Sequence, residues 1–180
     1  MSRIDETRPF IPVGIAVLTV SDTREAAEDR SGDTLAGRIE AAGHRLAGRT
    51  IVKDEQPLIA AQLRAWIDDP EVDAVISTGG TGLTGRDVTV EAHRSVYEKE
   101  IDAFGTVFTQ VSMAKIGTSA VQSRACAGVA GGTYLFALPG SPSACRDAWD
   151  EILVLQLDYR HRPCNFVEIM PRLEEHRRRK

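Results

Sequence analysis

Three near-continuous apolar runs constrain this chain most. They are "VGIAVLTVS" (residues 13–21), "VDAVIST" (72–78) and "TYLFALPG" (133–140). Each is short, and none alternates strictly between apolar and polar residues. A strand with one wet face alternates; a strand covered on both faces of a parallel sheet does not. Segments with helical spacing lie between them. "GDTLAGRIEAAG" is expected to start at a Ser31 cap and stop at Gly43. "QPLIAAQLRAWIDD" sets Leu58, Ile59, Leu63, Trp66 and Ile67 on one face, with Pro57 in its first turn. "HRLAGRTIVKDE" is a second strand region that ends near Asp54. Further helices are expected over about 88–98 and 102–113 and over "SPSACRDAWDEILVLQL", where Cys145, Trp149, Ile152 or Leu153, and Gln156 fall in line. "IGTSAVQSRACAGVAGG" reads as a short helix with a glycine-rich exit. Strands that alternate with helices predict a three-layer α/β/α sandwich around a mostly parallel sheet.

The chain has 180 residues, the size of one domain. An N-terminal arm over 1–12, a domain over 13–158 and a C-terminal arm with a basic tail over 159–180 are the expected divisions. A net charge of −4 argues against a general nucleic-acid binder, and the tail "HRRRK" (176–180) is expected to be a solvated end. Cys126, Cys145 and Cys164, an odd count without close spacing, do not read as a disulfide framework or a metal site. No apolar run has signal-peptide or membrane-spanning length, so no membrane partner and a cytoplasmic location are expected.

In open parallel sheets, ligands bind beyond the carboxyl ends of the strands. That rule selects Ser21-Asp22, Asp54-Glu55, the loop "STGGTGLTGRD" (77–87) and "PGSPS" from Pro139. The loop carries Gly79, Gly80, Gly82 and Gly85. Either a tight turn needs them, or their backbone N–H groups form an anion nest at a helix start, with Thr78, Thr81 and Thr84 adding hydroxyls. It is neither a P-loop nor a dinucleotide fingerprint: no lysine lies between Asp54 and Lys99, and the glycines are spaced differently. The charge of a phosphate would then have to be met by a divalent cation. Asp87 and Asp54 each suit a helix cap, Asp87 for "VTVEAHRSV" and Asp54 for the helix from Gln56. Together at two strand exits they also suit Mg²⁺, which takes few carboxylates plus substrate phosphates. "PGSPS" is either a well-made helix start or a second donor loop.

In order along the chain, "IAVLTVSD", "IVKDE", "TGGTGLTGRD", "GTSAVQSRA" and "LPGSPSA" resemble the MoaB/MogA family of molybdenum cofactor biosynthesis proteins. The likeness covers about 14–165, and "RPCNF" (162–166) resembles the MoaB branch. The resemblance implies trimers, or hexamers of two trimers. It implies an adenylyltransferase with Mg²⁺ as cofactor and ATP and molybdopterin as substrates. The terminal phosphate of molybdopterin attacks the α-phosphorus, pyrophosphate leaves, and the adenylyl-molybdopterin is handed to a protein that inserts molybdate or tungstate. Asp54 and Asp87 match the family's catalytic, metal-holding aspartates. Gly79, Gly80, Thr81 and Gly82 match the loop on the nucleotide or pterin phosphate, and Ser21 and Asp22 match the exit of the first strand. Thr118, Ser119, Ser123 and Arg124 match the pterin side, where Arg124 would meet a phosphate or dithiolene. Pro139, Gly140 and Ser141 match the second nucleotide loop. Ser143 stands where some members carry lysine. The branch also contains members without adenylyl transfer, some lacking the first aspartate, so a non-catalytic molybdopterin-binding protein is the alternative expectation.

Overall fold

The computed structural model describes residues 3–23 and 28–178. Residues 24–27, in the polar loop after the first long strand, and the last two residues of the basic tail lie outside that description. A six-stranded sheet forms the middle layer, with β2 (Gly14–Val20), β3 (Arg45–Val52), β4 (Ala74–Thr78), β5 (Lys99–Glu100), β6 (Cys126–Ala130) and β7 (Thr133–Leu138) in the order β3-β2-β4-β7-β6-β5. The first four in that order pair in parallel, and β6 and β5 complete the sheet antiparallel.

Alternate side chains of β2 serve the two faces. Ile15 and Val17 join Leu35, Ile39, Phe108, Phe136 and Trp149 in one core, beneath α1 (Arg30–Ala41), α4 (Asp102–Ile116) and α5 (Pro142–Ala148). Ala16, Leu18 and Val20 join Ile59, Leu63 and Val75 in the other, beneath α2 (Gln56–Ile67) and α3 (Thr89–Arg94). Every residue of β2, β4 and β7 is buried, which is why these runs do not alternate. The architecture is the expected three-layer α/β/α sandwich.

Several local expectations are corrected. Asp29, not Ser31, caps α1: its carboxylate accepts the Gly32 N–H at 3.0 Å, while the Ser31 hydroxyl donates to the Gly140 carbonyl at 2.9 Å. Asp29 is fully buried, and Arg49 at 2.7 Å and the Thr19 hydroxyl at 2.9 Å hold its charge. The segment read as a helix with a glycine-rich exit splits into a 3₁₀ turn at Gly117–Gln122 and strand β6, which turns back into β7 through Gly131 and Gly132, both at positive φ. Leu58 is exposed, although Ile59 and Leu63 on its helix are buried. After Ala148 the last long helix runs on through a π-turn at Trp149–Leu153. The two ends of the described chain meet. Strand β1 (Arg3–Ile4) pairs antiparallel with β8 (His161–Arg162), and Phe166 packs its ring 4.8 Å from that of Tyr134.

Candidate functional site

The chain leaves β2 to one side for β3 and to the other for β4, so a crevice opens where the direction reverses. A cavity of about 520 Å³ occupies it, at the carboxyl ends of β2, β3, β4 and β7. Ser21, Asp22, Asp54, Gly79, Gly80, Thr81, Gly82 and Asp87 line one side, and Pro139, Gly140 and Ser141 line the other. Ser119 and Ser123 contribute from the 3₁₀ turn and the residues after it. Thr118 and Arg124 do not line it.

The fold brings three strand exits into contact. The Gly79 N–H donates to the Leu138 carbonyl at 3.1 Å, and the Thr78 hydroxyl donates to the Pro139 carbonyl at 2.9 Å. A Cβ on Gly79, whose φ is +101°, would strike the Val20 carbonyl oxygen, and one on Gly140 would lie 3.1 Å from the Gly79 Cα. Glycine is required here because backbone passes against backbone. Gly80, at φ +62°, and Gly82 instead make way for carboxylates. Their Cβ atoms would lie 2.7 Å from Asp54 Oδ2 and 2.8 Å from Asp87 Oδ2.

Neither aspartate caps the helix that its position suggested. The N-cap of α2 is Glu55 and that of α3 is Val88, and neither makes a side-chain cap bond. Asp54 accepts the Val88 N–H from across the site at 3.2 Å. Asp87 accepts the Thr84 N–H at 2.7 Å, closing the loop on itself. Ser141 does cap its helix, accepting the Ala144 N–H at 3.1 Å.

The cavity is acidic. Among the described residues, Asp22, Asp54 and Asp87 line it, and no lysine or arginine does. Burial raises the Asp54 pKa above the ordinary carboxylate range, and the like charges of Asp87 and Asp22 push the same way against the Val88 hydrogen bond. Asp22 shifts down instead, because Arg86 grips it in a fork at 2.8 to 3.0 Å and the Asp54 N–H donates to it at 3.1 Å. A raised carboxyl pKa means that the folded state binds the proton more tightly. The resulting penalty is absent below the ordinary aspartate pKa and grows as pH rises through the raised one. Asp54→Asn keeps an oxygen for the Val88 N–H and removes the charge. Thermal unfolding of the metal-free protein between about pH 4 and pH 7 is therefore expected to show this variant gaining stability over wild type as pH rises. A constant difference across that range would contradict the assigned repulsion.

Arg124 stands behind the loop. Its Nε donates to the Gly82 carbonyl at 2.8 Å, its Nη2 donates to the Asp87 carbonyl at 3.1 Å, and the guanidinium pairs with the Glu91 carboxylate. Thus it braces the backbone on both sides of the loop's tip. The fold also places lining residues that the motifs did not mark. Phe108, Ser112 and Ile116 line the cavity at a spacing of four along α4, so a single helix face supplies that wall. The signal was that i, i+4, i+8 stripe, with a hydroxyl set between two apolar residues. His93 lies fully buried below the loop and shares a 2.8 Å hydrogen bond with Ser77. Burial pulls its pKa down to about 3, so it stays neutral.

Comparison with known proteins places this site in a family. The family described as a probable molybdopterin binding domain matches residues 16–159. Molybdenum cofactor biosynthesis protein B of Escherichia coli (strain K12) is 49% identical over 157 residues, which cover 87% of this chain and 92% of that protein. A crystal structure of a molybdenum cofactor biosynthesis protein B superposes with a TM-score of 0.84 at 34% identity, covering 93% of this chain and 99% of that one. The tungsten cofactor synthesizing protein MoaB from Pyrococcus furiosus superposes with a TM-score of 0.70 at 33% identity, covering 79% and 91%. The sheet order, the acidic crevice at the strand exits and this similarity together show that the chain belongs to the molybdopterin-binding domain family of the MoaB and MogA proteins.

Proposed function

We propose that this protein acts in molybdenum cofactor biosynthesis by transferring an adenylyl group from Mg-ATP to molybdopterin. One observation carries the reading. Asp54 and Asp87, from two different strand exits, converge around a glycine loop whose Cβ atoms would collide with them, and neither is used as a helix cap. Carboxylates crowded together in a site that takes phosphate repel one another and the ligand unless a cation joins them. Among the described residues, no three His, Cys, Asp or Glu side chains are grouped to hold a metal. Two carboxylates completed by substrate phosphate oxygens and water are the set that Mg²⁺ accepts.

Asp54 and Asp87 would hold the cation, which when bound neutralises charge on the reacting phosphates. The glycine loop would offer the N–H groups of Gly80, Thr81 and Gly82 to phosphate, those of Gly79 and Thr84 being used within the protein, and Arg86, exposed and paired with Asp22, would meet the outer phosphates. The Ser123 hydroxyl, buried and without a hydrogen-bond partner among the described residues, would serve as a donor on the pterin side. A phosphate oxygen of molybdopterin forms the new bond to the α-phosphorus as the bond to the bridging oxygen breaks, and pyrophosphate carries that electron pair away. Pyrophosphate release from Mg-ATP by the purified protein, only when molybdopterin is present, is the expected result. Its absence from a sample that binds molybdopterin would reject catalysis. It would favour the second reading, a molybdopterin-binding protein, which the lack of any cationic side chain in the described lining supports.

Arg124 acts in this scheme by holding the loop. Arg124→Lys keeps the charge but cannot reach two carbonyls and a carboxylate at once, and about a tenfold loss of kcat/KM is expected. Unchanged kinetics would remove it from the positioning machinery. Assembly into trimers or hexamers, and hand-over to a molybdate-insertion protein, belong to the same proposal. Leu83, Ile116 and Val121, exposed at 71%, 57% and 79%, offer apolar surface near the cavity mouth for such contacts.

A further inference from the structure

A second hydroxyl without a partner stands beside the acid on which the proposed reaction depends. Thr89 opens α3 and is fully buried, yet its Oγ1 meets no hydrogen-bond partner among the described residues. An unmet buried hydroxyl is costly, and valine offers the same branched shape without it. The surroundings point to one acceptor. A Cβ on Gly80 would collide with Thr89 Oγ1 and lie 2.7 and 2.8 Å from the two oxygens of Asp54. The hydroxyl and the whole carboxylate therefore crowd the same side of Gly80. The start of α3 already holds both neighbours: the Val88 N–H donates to Asp54 at 3.2 Å, and the Thr89 N–H donates to the Gly80 carbonyl at 2.9 Å. Thr89 is thus anchored through its backbone, with its side-chain donor unused. The other two acids of the cavity are held elsewhere, Asp22 by Arg86 and the Asp54 N–H, and Asp87 by the Thr84 N–H.

We propose that Thr89 is a positioning residue that acts through Asp54: its hydroxyl donates to that carboxylate when a divalent cation is bound, holding one oxygen and aiming the other at the cation. The inference rests on the reading that Asp54 holds the cation. A hydroxyl-to-carboxylate bond is charge-assisted, and such supporting partners commonly change metal affinity by about 10–100-fold. An ordinary packing role does not require the hydroxyl.

Mn²⁺ binding in the presence of a non-hydrolysable ATP analogue, followed by electron paramagnetic resonance, tests the inference. Thr89→Val is expected to weaken Mn²⁺ binding about tenfold, while the Tm of the metal-free protein is unchanged or higher because no hydroxyl is buried unmet. Thr89→Ser keeps the donor and is expected to bind Mn²⁺ as wild type does. Thr89→Ala carries the same expected loss and replaces the valine variant if that one does not fold. Wild-type Mn²⁺ affinity in Thr89→Val overturns the inference and leaves the metal reading in place. An equal loss in Thr89→Ser also overturns it, since packing and not the donor would then be responsible. Wild-type Mn²⁺ affinity in Asp54→Asn overturns the metal reading and, with it, the role of Thr89.

Discussion

Asp87→Asn is expected to slow molybdopterin-dependent pyrophosphate release by about 10²–10³-fold, with the fold intact. The amide oxygen of asparagine can still accept the Thr84 N–H that Asp87 accepts at 2.7 Å, so the loop keeps its turn and only the charge is lost. Charge is what the proposed step needs. Several kcal/mol of stabilisation on the transferring phosphate correspond to two or three powers of ten in rate. Arg124 supports the same stretch through the Asp87 carbonyl, a contact that the substitution leaves unchanged. Steady-state release at saturating Mg-ATP, with circular dichroism as the folding control, makes the measurement. Turnover within a few-fold of wild type would show that Asp87 serves only to close its loop.

Gly79→Ala is expected to lower stability by about 3 kcal/mol or more and Tm by on the order of 10 °C. Two effects add. The φ of +101° is strained for any residue with a Cβ, and that Cβ would strike the Val20 carbonyl, which belongs to an interior strand paired on both sides and cannot swing aside. Gly140 approaches from the third strand exit, where its own Cβ would lie 3.1 Å from the Gly79 Cα. Gly85→Ala in the same loop is the control: nothing lies within 4 Å of its Cβ position, and its φ is not positive. Little change in stability is expected there. Equal unfolding midpoints in urea for the two variants would refute the claim that the three strand exits are locked at Gly79.

The three buried runs were legible because each carries its own cause. β2, β4 and β7 lie between two helical layers, and only apolar side chains suit both faces. β6 was not legible. "CAGVA" holds small residues, and Gly128 is small because the Tyr97 ring lies against it, a neighbour about thirty residues away in sequence. The α1 cap was misplaced for a similar reason. Ser31 and Asp29 both suit an N-cap, and the partners Arg49 and Thr19, contributed by β3 and β2, determine which one serves. Asp54 and Asp87 were each open to a local reading as caps, and only the packed loop showed that their carboxylates turn to the cavity instead.

By itself the sequence determined the layers, the parallel core of the sheet and the strand exits where a ligand belongs. Those follow from residue periodicity and from the rule that side chains buried on two faces must be apolar on both. The tertiary structure alone decided which charges meet. It set Asp54 beside Asp87, turned Arg124 onto the back of the loop, drew a wall from one face of α4 and left Thr89 next to Asp54 without a partner. Such contacts join residues that are far apart along the chain, and their distances depend on how the helices settle on the sheet rather than on any local pattern.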